Sequence, residues 1–181
     1  ITNPLIRPVR EAILASNLAD NVFYIDISAA SELDRELLVE RHLISRPHAE
    51  ASHPRGVAVS ADETVSIMIN EEDHLRIQVL RSGLQLERAV EQIGQIEDRL
   101  EERLDFAFHG KYGYLTACPT NVGTGLRISV MLHLPALKMS GKIEQAFRAA
   151  RDMQLAIRGL YGEGTEASGD FFQVSNQTTL G

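Results

Sequence analysis

Three short segments hold most of the reactive chemistry in this chain. In the first, Asn70 leads into Glu71, Glu72, Asp73 and His74, three carboxylates and an imidazole placed between two β-prone runs. Adjacent like charges repel, so a turn that keeps them serves a cation or a proton-transfer task, or is simply solvated. One His and adjacent spacing do not by themselves make a usual metal ligand set. The second segment runs Cys118-Pro-Thr-Asn-Val-Gly-Thr-Gly-Leu-Arg127. Its Gly123-Thr124-Gly125 invites a dinucleotide fingerprint, but the third glycine is missing and a strand pattern follows instead of a helix that could hold pyrophosphate. A lone Cys118 is in general more often a small buried hydrophobe than a reactive group. The third segment, Arg158-Gly-Leu-Tyr-Gly-Glu-Gly-Thr-Glu166, places Glu163 between Gly162 and Gly164. That pattern reads either as a mobile lid or as a plain hairpin loop.

These segments must be positioned by regular elements. A helix is expected over about 5–19, a strand over Val22 to Ile27, and a second helix capped by Ser31 and running to about Leu43. The stretch Ser45 to Gly56, with Pro47, Pro54, His48 and His53, reads as an irregular loop. Strands follow at Val57 to Val59, Val65 to Ile69 and Leu75 to Leu80. Alternation in the last turns Arg76 away from the core. Leu86, Val90, Ile93, Ile96, Leu100 and Leu104 recur at helical spacing and predict the longest helix over about Leu84 to Leu104. Its Glu and Arg residues form a solvated face. Further strands are expected at Tyr112 to Ala117, Leu126 to Leu134, Leu155 to Leu160 and Phe171 to Ser175, with a helix over about Lys142 to Met153. In the second of these strands, Arg127, Ser129, Met131 and His133 share one face. Many neighbouring strands with few helices predict an α+β fold with a largely antiparallel sheet flanked by helices. Arg76, Arg127 and Arg158 each lie on or at the end of a different strand, so one sheet could join them as a polyphosphate cradle.

Length and composition bound the rest. The chain has 181 residues, a formal charge of −7 and one cysteine. That size fits a single domain over 1–181, and the charge argues against nucleic acid or an anionic membrane as the main partner. One cysteine excludes an internal disulfide framework and fits a reducing compartment, and no apolar run approaches a membrane span. Among 18 basic residues, 15 are Arg and 3 are Lys. The planar guanidinium suits phosphate and carboxylate, so the skew points to anion recognition unless it reflects codon bias.

Taken together, Asn70 to Arg76, Cys118 to Arg127 and Arg158 to Glu166, followed by Ser175-Asn176-Gln177, resemble the catalytic domain of the guanidino-phosphotransferases. This is the phosphagen kinase family, whose catalytic domain is glutamine synthetase-like. Tyr161-Gly162-Glu163-Gly164 and the ending Ser175 to Gly181 resemble its bacterial branch, which acts on protein arginine. The resemblance implies that Glu72 and Glu163 hold the substrate guanidinium with Cys118 beside it. It implies nucleotide contacts from His42, Arg76, Arg127, Ile128, Ser129, Val130 and Met131, and from Arg158, Gly159, Leu160, Tyr161, Gly162 and Glu163. It also implies ATP with Mg²⁺ and transfer of a phosphoryl group to a guanidinium nitrogen. Mg²⁺ would bind mainly through phosphates, with Glu71 or Asp73 near its water shell.

The family's Ser-x-Arg-x-Arg segment would precede residue 1, and the bacterial enzymes' C-terminal helical region would follow Gly181. A truncated catalytic domain is therefore expected, with homodimerisation belonging to the longer protein. The bacterial branch implies a cytoplasmic enzyme of stress response and protein quality control. Its partners would be a zinc-containing activator, a heat-shock repressor and a Clp-type protease. The alternatives are a phosphagen kinase acting on free arginine or another small guanidine, and a nucleotide-binding adaptor without transfer activity.

Overall fold

A computed structural model describes residues 5–159 and 169–179. The chain divides into two compact units, Ile1–Ala107 and Phe108–Gly181.

The first unit is built on four strands, β1 (Val22–Asp26), β2 (Gly56–Ser60), β3 (Val65–Ile69) and β4 (Leu75–Val79), antiparallel in the order β1-β2-β3-β4. Every residue of β2 and β3 is buried, because helices cover both faces of the sheet. Ala58, Val65, Ile67 and Ile69 turn to one side. There they pack with Val9 and Ile13 of α1 (Ile6–Ala15) and Ile96 and Leu100 of α4 (Leu86–Glu101). Val57, Val59 and Met68 turn to the other. They meet Leu38 of α2 (Glu32–Glu40) and the Leu43-Ile44 segment leading to α3 (Arg46–Glu50). The two-residue period of the strands thus feeds two cores. Gly56 in β2 leaves room for the outer end of the Tyr24 side chain on β1, which a Cβ there would displace.

Two expectations change here. The stretch Ser45 to Gly56 holds a short helix, α3, whose start was legible: Ser45 accepts from the His48 amide at 3.1 Å and Pro47 occupies the first turn, a common pattern at helix starts. Its two prolines and two histidines had masked that signal. Arg76 does not face bulk solvent across an open sheet, since the second face also carries a core. It is exposed because β4 is an edge strand.

In the second unit, β5 (Phe108–His109) and β6 (Gly113–Tyr114) form a small hairpin, and a 3-10 turn spans Pro119–Asn121. Tyr114 and Gly123 exchange two backbone hydrogen bonds, N to O 2.8 and 3.3 Å, which folds the loop back on the hairpin. This approach needs Gly113, which has φ +76° and whose absent Cβ would overlap the Gly123 carbonyl. Three further strands, β7 (Ser129–His133), β8 (Leu155–Arg158) and β9 (Phe171–Asn176), pair antiparallel in the order β7-β9-β8. Phe147 of α6 (Ile143–Asp152) meets Phe172 edge-on at 5.0 Å and covers one face of this sheet. The strand expected over Leu126 to Leu134 begins only at Ser129 and ends at His133. The helix α5 (Pro135–Met139) follows it, unforeseen. The strand expected over Tyr112 to Ala117 is only the two residues of β6.

The fold is α+β with antiparallel pairing throughout the described strands, arranged as three separate sheets.

Candidate functional site

The acidic turn between β3 and β4 is closed by Asn70, which adopts φ +64° and donates its amide to the His74 carbonyl at 2.9 Å. Its side-chain amide reaches the Pro54 carbonyl at 2.6 Å, and His53 meets the Asn70 carbonyl at 2.8 Å. The two glutamates have different fates. Glu71 is half-buried and fully engaged: its Oε1 accepts from the Ser45 hydroxyl at 2.8 Å and lies 3.5 Å from Arg76 Nη1, while Oε2 accepts from the Glu72 amide at 2.9 Å. Burial pushes the Glu71 carboxyl up. The Glu72 amide, the Ser45 hydroxyl and the positive charge of Arg76 outweigh it, so the pKa is lowered on balance. Glu72 is exposed, and its carboxylate has no partner among the described residues. One carboxylate fixes the turn and the next is presented to solvent, so their repulsion is relieved by division of labour.

Two expected nucleotide residues, Arg76 and His42, lie along the same sheet edge, His42 linked to it through Gln78. Arg76 sits opposite Met68 and Gln78 opposite Ser66, on the face covered by α2 and α3. Gln78 bonds the Ser66 hydroxyl at 3.1 Å and the His42 carbonyl at 3.3 Å. His42 follows α2 in the left-handed region, φ +58°. There, its own amide bonds the Val39 carbonyl at 3.0 Å and the Leu43 amide bonds the Leu38 carbonyl at 2.9 Å. This helix ending favours glycine, and a histidine there carries a backbone cost that the Leu38–Leu43 contact offsets.

Behind the turn lies a pair that the sequence reading missed. Arg55 is 3% exposed, unusual for an arginine. Its guanidinium caps the end of α3, donating to the carbonyls of His48, His53 (2.7 Å) and Ala49 (3.0 Å). Burial lowers its pKa. His48 is 1% exposed, its Nε2 lies 3.1 Å from the Gly56 carbonyl, and its Nδ1 has no partner. Burial lowers its pKa as well, keeping the ring neutral. An Arg just before a buried strand and after a prolyl loop was the only available signal.

In the second unit, Cys118 is half-buried and its Sγ lies 2.9 Å from the Thr120 hydroxyl. The loop from Cys118 to Arg127 is held by the residues after β9. Thr179, 5% exposed, shares its single hydroxyl proton between the carbonyls of Thr120 (3.0 Å) and Val122 (3.1 Å). Its own carbonyl accepts from the Thr124 amide at 2.9 Å and hydroxyl at 2.6 Å. Asn176 clamps both flanks of Arg127: its Oδ1 accepts from the Ile128 amide at 2.8 Å and its amide group donates to the Leu126 carbonyl at 3.0 Å. The sequence marked Ser175-Asn176-Gln177 only as part of a resemblance. The structure gives Asn176 and Thr179 a mechanical role.

The three-stranded sheet sorts the remaining residues by register. Ser129 pairs with Ser175, and Gln173 lies between Met131 and Arg158, so Ser129, Met131 and Arg158 share one face. Arg158 donates to the Ser175 hydroxyl at 3.3 Å. Val130 belongs to the opposite face, with Phe172 and the covering helix, and Ile128 is tied through its backbone to Asn176. Gly159 is buried. Leu160, Tyr161, Gly162 and Glu163 lie outside the described residues. No single described sheet carries all three arginines, since Arg76 is on β4 and Arg158 on β8.

Chemically, each unit carries its own set of polar groups. The first has an accessible carboxylate, Glu72, and an exposed imidazole, His74, on the turn that leads into the Arg76 guanidinium. The second has two arginines, a serine hydroxyl and a thiol. Guanidinium and hydroxyl donors suit a polyphosphate. Among the described residues no group of three or more His, Cys, Asp or Glu is placed to hold a metal ion, so Mg²⁺ would need phosphate oxygens and water as its main ligands.

Residues 5–181 match the family described as ATP:guanido phosphotransferase, C-terminal catalytic domain. The chain is 57% identical over 158 residues to a protein-arginine kinase of Halothermothrix orenii, covering 87% of this chain and 45% of that protein. It is 50% identical over 176 residues to that of Desulforamulus reducens, covering 96% and 49%. The chain thus spans about half the length of the curated relatives it matches. Among solved structures, a duplicated taurocyamine kinase from Schistosoma mansoni with bound transition-state analogue components superposes with a TM-score of 0.83 at 28% identity, over 98% of this chain and 26% of that one. A lombricine kinase gives 0.75 at 28% identity, over 97% and 53%.

Proposed function

Because the chain belongs to the ATP:guanido phosphotransferase family, within its C-terminal catalytic domain, we propose that the protein it forms part of moves the γ-phosphoryl group of ATP onto arginine side chains in proteins. The observation that carries this choice of acceptor is the contrast in identity. It reaches 57% with proteins named protein-arginine kinase and stands at 28% with kinases of small guanidines.

The chemistry requires what the residues offer. A guanidinium is cationic, with a pKa above about 12, and its lone pairs are delocalised, so it attacks poorly. Glu72, exposed and unengaged, accepts hydrogen bonds from that group, fixes one terminal nitrogen and takes its proton as the nitrogen–phosphorus bond forms and the γ-phosphorus–oxygen bond breaks. Glu163 is the proposed second carboxylate. ATP with Mg²⁺ supplies the electrophilic phosphorus and leaves as ADP. Arg76, Arg127 and Arg158, with Ser129 and His42, hold the phosphate charge in place, which is most of what such a transfer needs. Cys118, on a loop braced through Thr120 and Thr179, is the proposed thiol neighbour of the guanidinium. The likeness to the bacterial branch extends the proposal to a cytoplasmic quality-control role with a zinc-containing activator, a heat-shock repressor and a Clp-type protease.

The test offers free arginine and an arginine-rich protein to the full-length enzyme in one ATP assay. Acid-labile, base-tolerant phosphate on protein arginine is expected. Labelling confined to Ser, Thr or Tyr would sink the proposal, turnover of free arginine alone would favour a phosphagen kinase, and nucleotide binding without transfer would favour an adaptor.

A further inference from the structure

The excess of Arg over Lys is not used up by the phosphate site. Three arginines, Arg81, Arg88 and Arg99, line a pair of adjoining depressions of about 400 and 500 Å³ in the first unit, which share Leu18, Arg81, Gln92 and Arg99. Leu18 and Ile96, both buried, belong to this lining and give it apolar ground. On α4, Arg88, Gln92, Gln95 and Arg99 fall at helical spacing and form one polar stripe. The three guanidinium groups bond only neutral acceptors: Arg81 the Gln92 side chain, Arg88 the Gln85 side chain at 3.1 Å, and Arg99 the Asn17 carbonyl. No ion pair joins any of them to a carboxylate among the described residues. Asp62, which also lines the groove, spends its carboxylate on the Ser60 hydroxyl and on the amide and hydroxyl of Thr64. Asp20 and Glu91 lie there too, exposed.

We propose that this groove docks an extended, polyanionic segment of a protein substrate, whose carboxylate or phosphate groups sit on Arg81, Arg88 and Arg99. This rests on the reading that the substrate is a protein. Bidentate guanidinium forks suit such groups, while Gln92, Gln95 and Asn17 offer amides that pair with an extended backbone. A compact anion spread over the groove would meet Asp20 and Glu91. A chain instead can set its acidic side chains on the arginines and its basic ones on those two carboxylates. None of the residues from Asn70 to Arg76 lines the groove, so it is distinct from the acidic turn.

The test uses the full-length protein and three fluorescent decapeptides, one glutamate-rich, one carrying phosphoserines and one with glutamine in their place. Anisotropy is expected to show the two anionic peptides binding more weakly as salt rises, and the glutamine peptide not binding. Arg81→Gln combined with Arg88→Gln removes contacts to side-chain amides only, so the backbone brace of Arg99 is kept. It is expected to weaken peptide binding about tenfold and to raise KM for an acidic protein substrate at unchanged kcat. Tighter binding of the phosphoserine peptide per charge would assign the anion to phosphate, and equal binding to carboxylate. Equal affinity of the wild type for all three peptides, or of the variant and wild type for the anionic ones, would overturn the docking site. Arg-dependent peptide binding in a protein that labels no arginine would keep the groove and defeat the kinase reading.

Discussion

The two units hold their functional residues by different physical means. In the first, two cores sandwich the sheet, and Val57, Ile67, Met68 and Ile69 are all but inaccessible. The acidic turn inherits that rigidity through Asn70 and Glu71. In the second, Phe172 is the only buried hydrophobic side chain among the described residues, and the Cys118 to Arg127 loop is held by hydrogen bonds from Asn176 and Thr179. Apolar burial is non-directional and collectively large, whereas each hydrogen bond adds only about 1 kcal/mol net but fixes geometry. The first unit is therefore expected to keep its shape without ligands. The second is expected to respond more to whatever occupies its arginines.

The sharpest challenge to this contrast is Glu72→Gln in the full-length enzyme. Turnover is expected to fall by orders of magnitude, with nucleotide affinity, read by calorimetry, retained. Unchanged turnover would remove Glu72 from the mechanism. Next in size, Met68→Ala leaves a cavity between β3 and the helices covering it and should cost about 2–5 kcal/mol in urea unfolding. A cost as small as that of a surface substitution would mean that the double core does not fix the first unit. Thr179→Val keeps shape but deletes the one hydroxyl donor shared by two carbonyls, for about 1–3 kcal/mol. It should act on the loop, seen as faster alkylation of Cys118, and unchanged thiol reactivity would show that the loop is held by other means.

The pH response tests the first unit again. The lowered pKa of His48 means that the unfolded chain takes up a proton near pH 6.5 that the folded one resists. Stability should therefore fall as pH drops below about 6.5 towards the folded value. Glu71, also lowered, contributes stability that is present above the ordinary carboxylate pKa and lost as pH falls through its folded value. Replacing His48 by Leu should flatten the upper part of this acid limb, and an unaltered slope would assign it elsewhere. The smallest effect is expected at the exposed Arg41–Glu63 pair on the first unit's surface, where Glu63→Gln should cost less than about 0.5 kcal/mol.

Much of the fold was legible because it follows from short-range pattern. Short β-prone runs located β2, β3 and β9, alternation marked β4, and the Leu86 to Leu100 spacing located α4. Ser31 indeed caps α2, accepting from the Asp34 amide at 3.2 Å. Misses came where local signals conflict or distant ones decide. Pro47 and two histidines hid α3, and Leu126 to Ile128 looks like a strand but pairs with a side chain, that of Asn176. The position of Arg55 depends on carbonyls that converge only after α3 forms.

The sequence by itself determined the element types and the chemical inventory, including which blocks of carboxylate, thiol and arginine lie together, because periodicity and spacing are properties of neighbours along the chain. Only the tertiary structure decided what each group is free to do. Glu71 and Glu72 are adjacent and chemically identical, yet one is spent on Ser45, Arg76 and its neighbour's amide while the other stands in solvent. That division is set by contacts 26 residues away in sequence, which no local pattern encodes.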